Sequence, residues 1–236
     1  MSETFKILVP PFKKRTPKNP PYPLPDPRKG KSLALTLVGR RQSGKSLMMV
    51  NLIWAYVKSM EIIIVLSSTI QLDPIWKHIT DPDNVVVSDK ANNEIVENIL
   101  EECKSRFNPD KPGEFQCLLL IDNFGNSFHR RELKKSMDNL YTCFRHYGGN
   151  LITSVQSLNH LENIMKSNST QWVFFDTNRR ALRKIAEDLA TNSMPEKELE
   201  KFISENTMQR YSHVYIDYTA PEDQVFRIGF DRVYKK

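Results

Sequence analysis

Cysteine is scarce in this chain: Cys103, Cys117 and Cys143 are the only ones in 236 residues. None sits in a C-x-x-C pair or at ligand spacing from a histidine. A disulfide framework and a zinc site are therefore not expected, and a reducing compartment is. The five histidines show no metal-ligand spacing among themselves. No apolar run reaches the roughly 20 residues of a membrane span, and the amino terminus lacks the apolar segment of a secretion signal. The expectation is a soluble intracellular chain that is not secreted. Internal repeats and low-complexity runs are also missing. So is any charge excess over residues 32–236, which hold 26 basic and 26 acidic side chains.

The net charge of +6 therefore belongs to residues 1–31, where eight Lys/Arg face only Glu3 and Asp26. The same stretch holds eight of the fourteen prolines, which prevents helix and favours an extended, polyproline-like path. Such an arm serves either as a solvated linker or as a strap against a neighbouring subunit or a phosphate backbone. Residues 32–236 are long enough to bury one full core, and apolar and charged contents of 39% and 26% are ordinary for a globular domain. The expected organisation is an extended arm, 1–31, followed by one domain, 32–236.

That domain begins with an apolar run, Leu33–Val38. Gly39-Arg40-Arg41-Gln42-Ser43-Gly44-Lys45-Ser46 follows, then the helical-looking stretch Leu47–Trp54. G-x-x-x-x-G-K-S between a strand and a helix is the phosphate-binding loop of nucleotide hydrolases. A polyphosphate needs concentrated positive potential. The loop supplies backbone N–H groups, the positive end of a helix, a lysine ammonium and a hydroxyl for Mg²⁺. Gly39 and Gly44 permit backbone angles and close approaches that a Cβ would block. Gly39, Arg40, Arg41, Gln42, Ser43, Gly44, Lys45, Ser46 and Leu47 are thus the expected nucleotide contacts.

Beyond the loop, strand and helix patterns alternate. Glu61–Leu66, Val85–Val87, Cys117–Ile121, Leu151–Val155 and Trp172–Phe175 read as short buried strands. Asp73–His78 begins a short helix with Pro74 in its first turn. Asn93–Phe107, Arg131–Phe144, Arg179–Ala190 and Glu196–Glu205 read as helices, and His213–Tyr218 with Val225–Phe230 as a closing antiparallel pair. The order predicts an α/β fold with a mainly parallel sheet and helices on both faces.

Three positions at strand ends carry chemistry. Asp122 follows Cys117–Ile121 and suits the Mg²⁺ shell together with Ser46. Asn123 stands where many ATPases with an inserted central strand carry a carboxylate; an amide can orient water but cannot take its proton. Gln156 ends the next strand, within reach of a γ-phosphate or its attacking water.

The ordered set VGRRQSGKS (38–46), SSTIQLDPIWKHI (67–79), LLLIDNFG (118–125) and FRHYGGNLITSVQS (144–157) resembles the FtsK–HerA superfamily, in particular the poxvirus-type DNA-packaging ATPases. The resemblance covers roughly residues 33–176. It implies a P-loop NTPase of the additional-strand, RecA/FtsK–HerA-like class. ATP and Mg²⁺ would bind at Lys45, Ser46 and Asp122, and Asn123 departs from the family's second acid. It also implies a homo-oligomeric ring that threads double-stranded DNA into a capsid. A capsid or portal-like vertex protein would be its partner, and the host cytoplasm, a viral factory or the virion its location. In such rings an arginine acts in the neighbour's site; Arg145 of the family's Arg-His pair is one candidate, and Arg179 and Arg180 are others. The basic runs His129–Lys135 and Arg179–Lys184 are either solvated faces or phosphate-contacting segments. Two other classes stay open: an ATP-binding assembly module with little turnover, and a small-molecule phosphotransferase. The missing lid-like arginine cluster argues against the second.

Overall fold

The computed structural model describes residues 23–79, 83–124 and 131–235. Residues 1–22, most of the predicted arm, lie outside the described residues, as do His129 and Arg130 of the first basic run. Nine strands form one sheet: β1 (Ala34–Val38), β2 (Ile62–Ser67), β3 (Val85–Ser88), β4 (Cys117–Asp122), β5 (Gly149–Val155), β6 (Gln171–Phe175), β7 (His213–Asp217), β8 (Phe226–Ile228) and β9 (Arg232–Val233). Their spatial order is β3-β2-β4-β5-β1-β6-β7-β8-β9. The pairings from β3 to β6 are parallel, and those from β6 to β9 antiparallel. The mainly parallel α/β sheet expected from the residue pattern is what forms. β5 is the inserted strand that separates the phosphate-loop strand β1 from β4.

The continuous apolar runs are explained by burial on both faces. Ile62, Ile64 and Leu66 of β2 join one core, Ile63 and Val65 the other; β4 divides Cys117, Leu119 and Ile121 from Leu118 and Leu120 in the same way. Helix α1 (Lys45–Tyr56) covers the second face with Met49, Leu52, Ile53 and Tyr56, beside Trp76 of the short 3₁₀ turn Pro74–Ile79. The opposite face takes α2 (Asn93–Arg106), α3 (Arg131–Cys143), the short α4 (Asn163–Asn168), α5 (Arg179–Leu189) and α6 (Glu196–Asn206). Asn92 and Asn178 cap α2 and α5, each accepting a backbone N–H at 2.9 Å.

Two buried amides pin the amino end of β1. Asn150 Oδ1 accepts Leu33 N and Gln171 Oε1 accepts Ala34 N, both at 2.9 Å. The last residues of the arm are also held: Tyr56 Oη donates to the Pro25 carbonyl at 2.9 Å, and Leu24 packs on the second core.

Candidate nucleotide site

Because β2, β4, β5, β1 and β6 run parallel, their carboxyl ends share one edge. Register aligns them residue by residue: Ser67 with Asp122, Asp122 with Ser154, and Val38 with both Val155 and Phe174. The chain leaves β1 at Gly39, whose N–H donates to the Val155 carbonyl at 3.3 Å. A Cβ at Gly39 would stand 2.7 Å from both Phe175 Cβ and Ser43 Oγ, so only glycine fits. Gly44 takes φ +110 before α1 begins, and its carbonyl accepts Met48 N at 2.9 Å. These two glycines let the loop fold back over the helix start.

Lys45 is buried, and its Nζ donates to the carbonyls of Gly39 at 2.7 Å and Arg40 at 2.9 Å. Burial lowers its pKa to about 8, against the opposing pull of Asp122. Ser46 Oγ donates to Asp122 Oδ2 at 3.2 Å, and Ser67 Oγ reaches the same oxygen at 3.5 Å. Burial also raises the Asp122 carboxyl above its ordinary value, while Ser154, Ser46, Lys45 and Ser67 oppose the rise. A buried carboxyl group next to a hydroxyl is a hard-oxygen pair suited to Mg²⁺. Ser43 Oγ is buried with no hydrogen-bond partner among the described residues, an orphan that a phosphate oxygen would satisfy. The donor set therefore fits both a nucleotide polyphosphate and its metal.

The remaining predicted residues fall at different places. Arg40, Arg41, Gln42 and Leu47 are exposed, and Arg40 pairs with Asp176 at 2.6 Å, tying the loop to the end of β6. Gln156 is exposed one residue beyond Val155, beside the loop. Asn123 is exposed at φ +63, a left-handed conformation that asparagine accepts better than other side-chain-bearing residues. Arg179 and Arg180 start α5, four and five residues past the end of β6, on the loop's edge of the sheet. Arg145 lies at the opposite edge, before β5 begins, in a small cleft shared with Ser32, Leu33 and Gly149. The seven residues of β5 separate it from the loop by about 20 Å. It cannot reach the site of its own chain.

Sequence reasoning missed the hydroxyls of Ser67 and Ser154 around Asp122, although polar residues closing apolar strands were a usable signal. It also missed Tyr211, whose Cδ1 stands 2.9 Å from where a Cβ on Gly44 would be. No linear motif announces that contact.

Comparison with known proteins bears on the fold and the family. The fold matches the genome packaging NTPase B204 from Sulfolobus turreted icosahedral virus 2 in complex with AMP, with a TM-score of 0.59, 19% identity, and coverage of 86% of this chain and 98% of that one. The pCW3 conjugation coupling protein TcpA, solved with ATPγS, matches with a TM-score of 0.59 at 14% identity over 86% of this chain and 59% of that one. The type VII secretion ATPase EccC of Thermomonospora curvata matches with a TM-score of 0.56 at 10% identity over 86% and 24%. At such identities the likeness concerns the fold, which is that of P-loop NTPases. Among curated protein sequences nothing matches. The family described as Poxvirus A32 protein matches residues 28–233, nearly the whole described chain with its phosphate loop, Asp122 and closing strands, and the chain belongs to that family.

Proposed function

We propose that this chain is a viral genome-packaging ATPase that hydrolyses ATP to drive double-stranded DNA into a capsid. The observation that carries the ATPase reading is the convergence of Lys45, Ser46 and Asp122 on one sheet edge, through the 3.2 Å contact of Ser46 with Asp122. Family membership and the fold shared with a packaging NTPase support the DNA-translocating role. No helix among the described residues is long and apolar enough to cross a membrane, which suits work in the host cytoplasm, a viral factory or the virion. The working form is a homo-oligomeric ring, with a capsid or portal-like vertex protein as its docking partner.

In this mechanism the loop's backbone N–H groups and the start of α1 receive the phosphates. Lys45 Nζ exchanges the Gly39 and Arg40 carbonyls for phosphate oxygens, and the Ser43 hydroxyl gains the partner it lacks. Ser46 and Asp122 would hold Mg²⁺, which when bound would supply positive charge against the phosphates. Gln156 orients the attacking water, and Asn123 orients it by its amide without accepting the proton.

Steady-state ATP hydrolysis with and without duplex DNA tests this reading, with Lys45→Ala, Asn123→Asp and Asn123→Glu alongside. DNA should stimulate the wild type, and Lys45→Ala should abolish turnover. Asn123→Asp should raise turnover if position 123 addresses the water. The glutamate variant should gain less, because a left-handed backbone at φ +63 is tolerated by aspartate, whose short side chain can hydrogen-bond locally, better than by glutamate. Turnover surviving Lys45→Ala would overturn the site assignment. ATP binding without DNA-stimulated hydrolysis would favour a nucleotide-gated assembly module.

A further inference from the structure

The contact between Tyr211 and the phosphate loop follows from topology. β7 runs antiparallel to β6 with His213 opposite Phe175, so the residues just before β7 lie at the carboxyl edge of β6. Tyr211, two residues ahead of His213, therefore stands beside the loop. Its ring meets Gly44 with the Cδ1–Cε1 side, at 2.9 and 3.7 Å from the position a Cβ there would take. Its backbone is held at φ +68, which a bulky aromatic residue rarely adopts. The residue is nevertheless 46% exposed, and the Arg210 guanidinium lies 4.7 Å over its ring. A strained backbone that presents a half-exposed aromatic ring and a cation at a ligand loop is organised for recognition, not for core packing.

The sheet order gives this ring a defined place along a bound nucleotide. Asp122 on β4 lies on the β5 side of β1, whereas Tyr211 lies on the β6–β7 side. A triphosphate whose γ end faces Asp122 and Gln156 points its nucleoside end toward β6 and β7. β7 stands two strands from β1, about 10 Å away, within the span of a nucleotide. Phe175 Cε1 approaches Gly44 from the same side, at 3.5 Å from the same Cβ position. Leu47, in the first turn of α1, adds a second exposed apolar surface, 42% accessible.

We infer that Tyr211 is the platform on which the nucleotide base stacks, by the ring face opposite the one that the Arg210 guanidinium covers. This rests on the reading of loop 39–46 as a nucleotide site and extends it from the phosphates to the base. Stacking needs only a π-face, so the site recognises a base by its surface.

Calorimetric or fluorescence titration of the full chain with Mg²⁺–ATP, and separately with inorganic tripolyphosphate, tests the inference. Tyr211→Ala and Tyr211→Gly should weaken ATP binding about ten-fold or more while leaving tripolyphosphate affinity unchanged, as loss of base stacking requires. Tyr211→Phe should keep wild-type affinity for both, since it retains the ring. Equal loss for ATP and tripolyphosphate would overturn the inference, because Tyr211 would then only support the loop. Unchanged ATP affinity in the alanine and glycine variants would overturn it as well. If the wild type bound neither ligand, the phosphate-loop reading itself would fail and the base platform with it; tripolyphosphate binding by the wild type keeps the two failures apart.

Discussion

Lys45 is held in two protein contacts that a nucleotide must break, to the carbonyls of Gly39 and Arg40. Burial lowers its pKa to about 8, whereas in the unfolded chain it keeps its proton to about 10.4. Between these values the unfolded state binds more protons, so Lys45 makes folding stability rise with pH there. Nucleotide binding runs the other way, because phosphate anions demand the ammonium. ATP affinity should weaken up to ten-fold per pH unit above about pH 8. Calorimetry in buffers of different ionisation enthalpy would show proton uptake on binding over the same range. Affinity independent of pH through 9 would mean that burial does not govern this lysine. Asn123 shows the limit of reading residues by type. Its place after Asp122 suggests a missing base, but its left-handed backbone supplies a separate, conformational reason for asparagine.

At the level of elements, the parallel strands converge on the site because buried amides hold their opposite ends in register. Asn150 accepts Leu33 N and donates to Gln116 Oε1, Cys117 O and Gly148 O at 3.0–3.3 Å, linking β1, β4 and β5. Truncating it strands several polar groups out of reach of water. Asn150→Ala should therefore lower stability by about 2–4 kcal/mol, measured by urea denaturation. A loss below about 0.5 kcal/mol, the size of an ordinary surface change, would show that the amide does not hold the strands. The strands themselves were legible: Ile62–Leu66 and Cys117–Ile121 are apolar throughout because both faces are covered. The amide clamp was not legible, since Asn150 and Gln171 look like ordinary polar residues at strand starts until β1 is seen between them.

For the whole molecule, Arg145 and the phosphate loop occupy opposite sheet edges, so any catalytic role for Arg145 belongs to a neighbouring subunit's site. Arg145→Ala and Lys45→Ala should each be nearly inactive alone. Mixed one to one, they should recover roughly a quarter of wild-type turnover, because some interfaces combine an intact Lys45 with an intact Arg145. A mixture no more active than the separate variants would remove Arg145 from the mechanism, and Arg179 and Arg180, already on the loop's edge, would become the arginines to test.

The phosphate loop, the acidic strand end at Asp122 and the α/β alternation could be read from the chain alone. Each is local: a loop sequence, an apolar run or a period is written within a dozen consecutive residues. The tertiary structure decided what depends on neighbours in space. It set β5 between β1 and β4, and the start of α1 reaches across that strand to put Ser46 against Asp122. It turned β7 antiparallel to β6, which brings Tyr211 to Gly44, and it put Arg145 a full strand length from its own loop. Strand order and direction arise from how whole faces pack, and no short stretch of sequence encodes them.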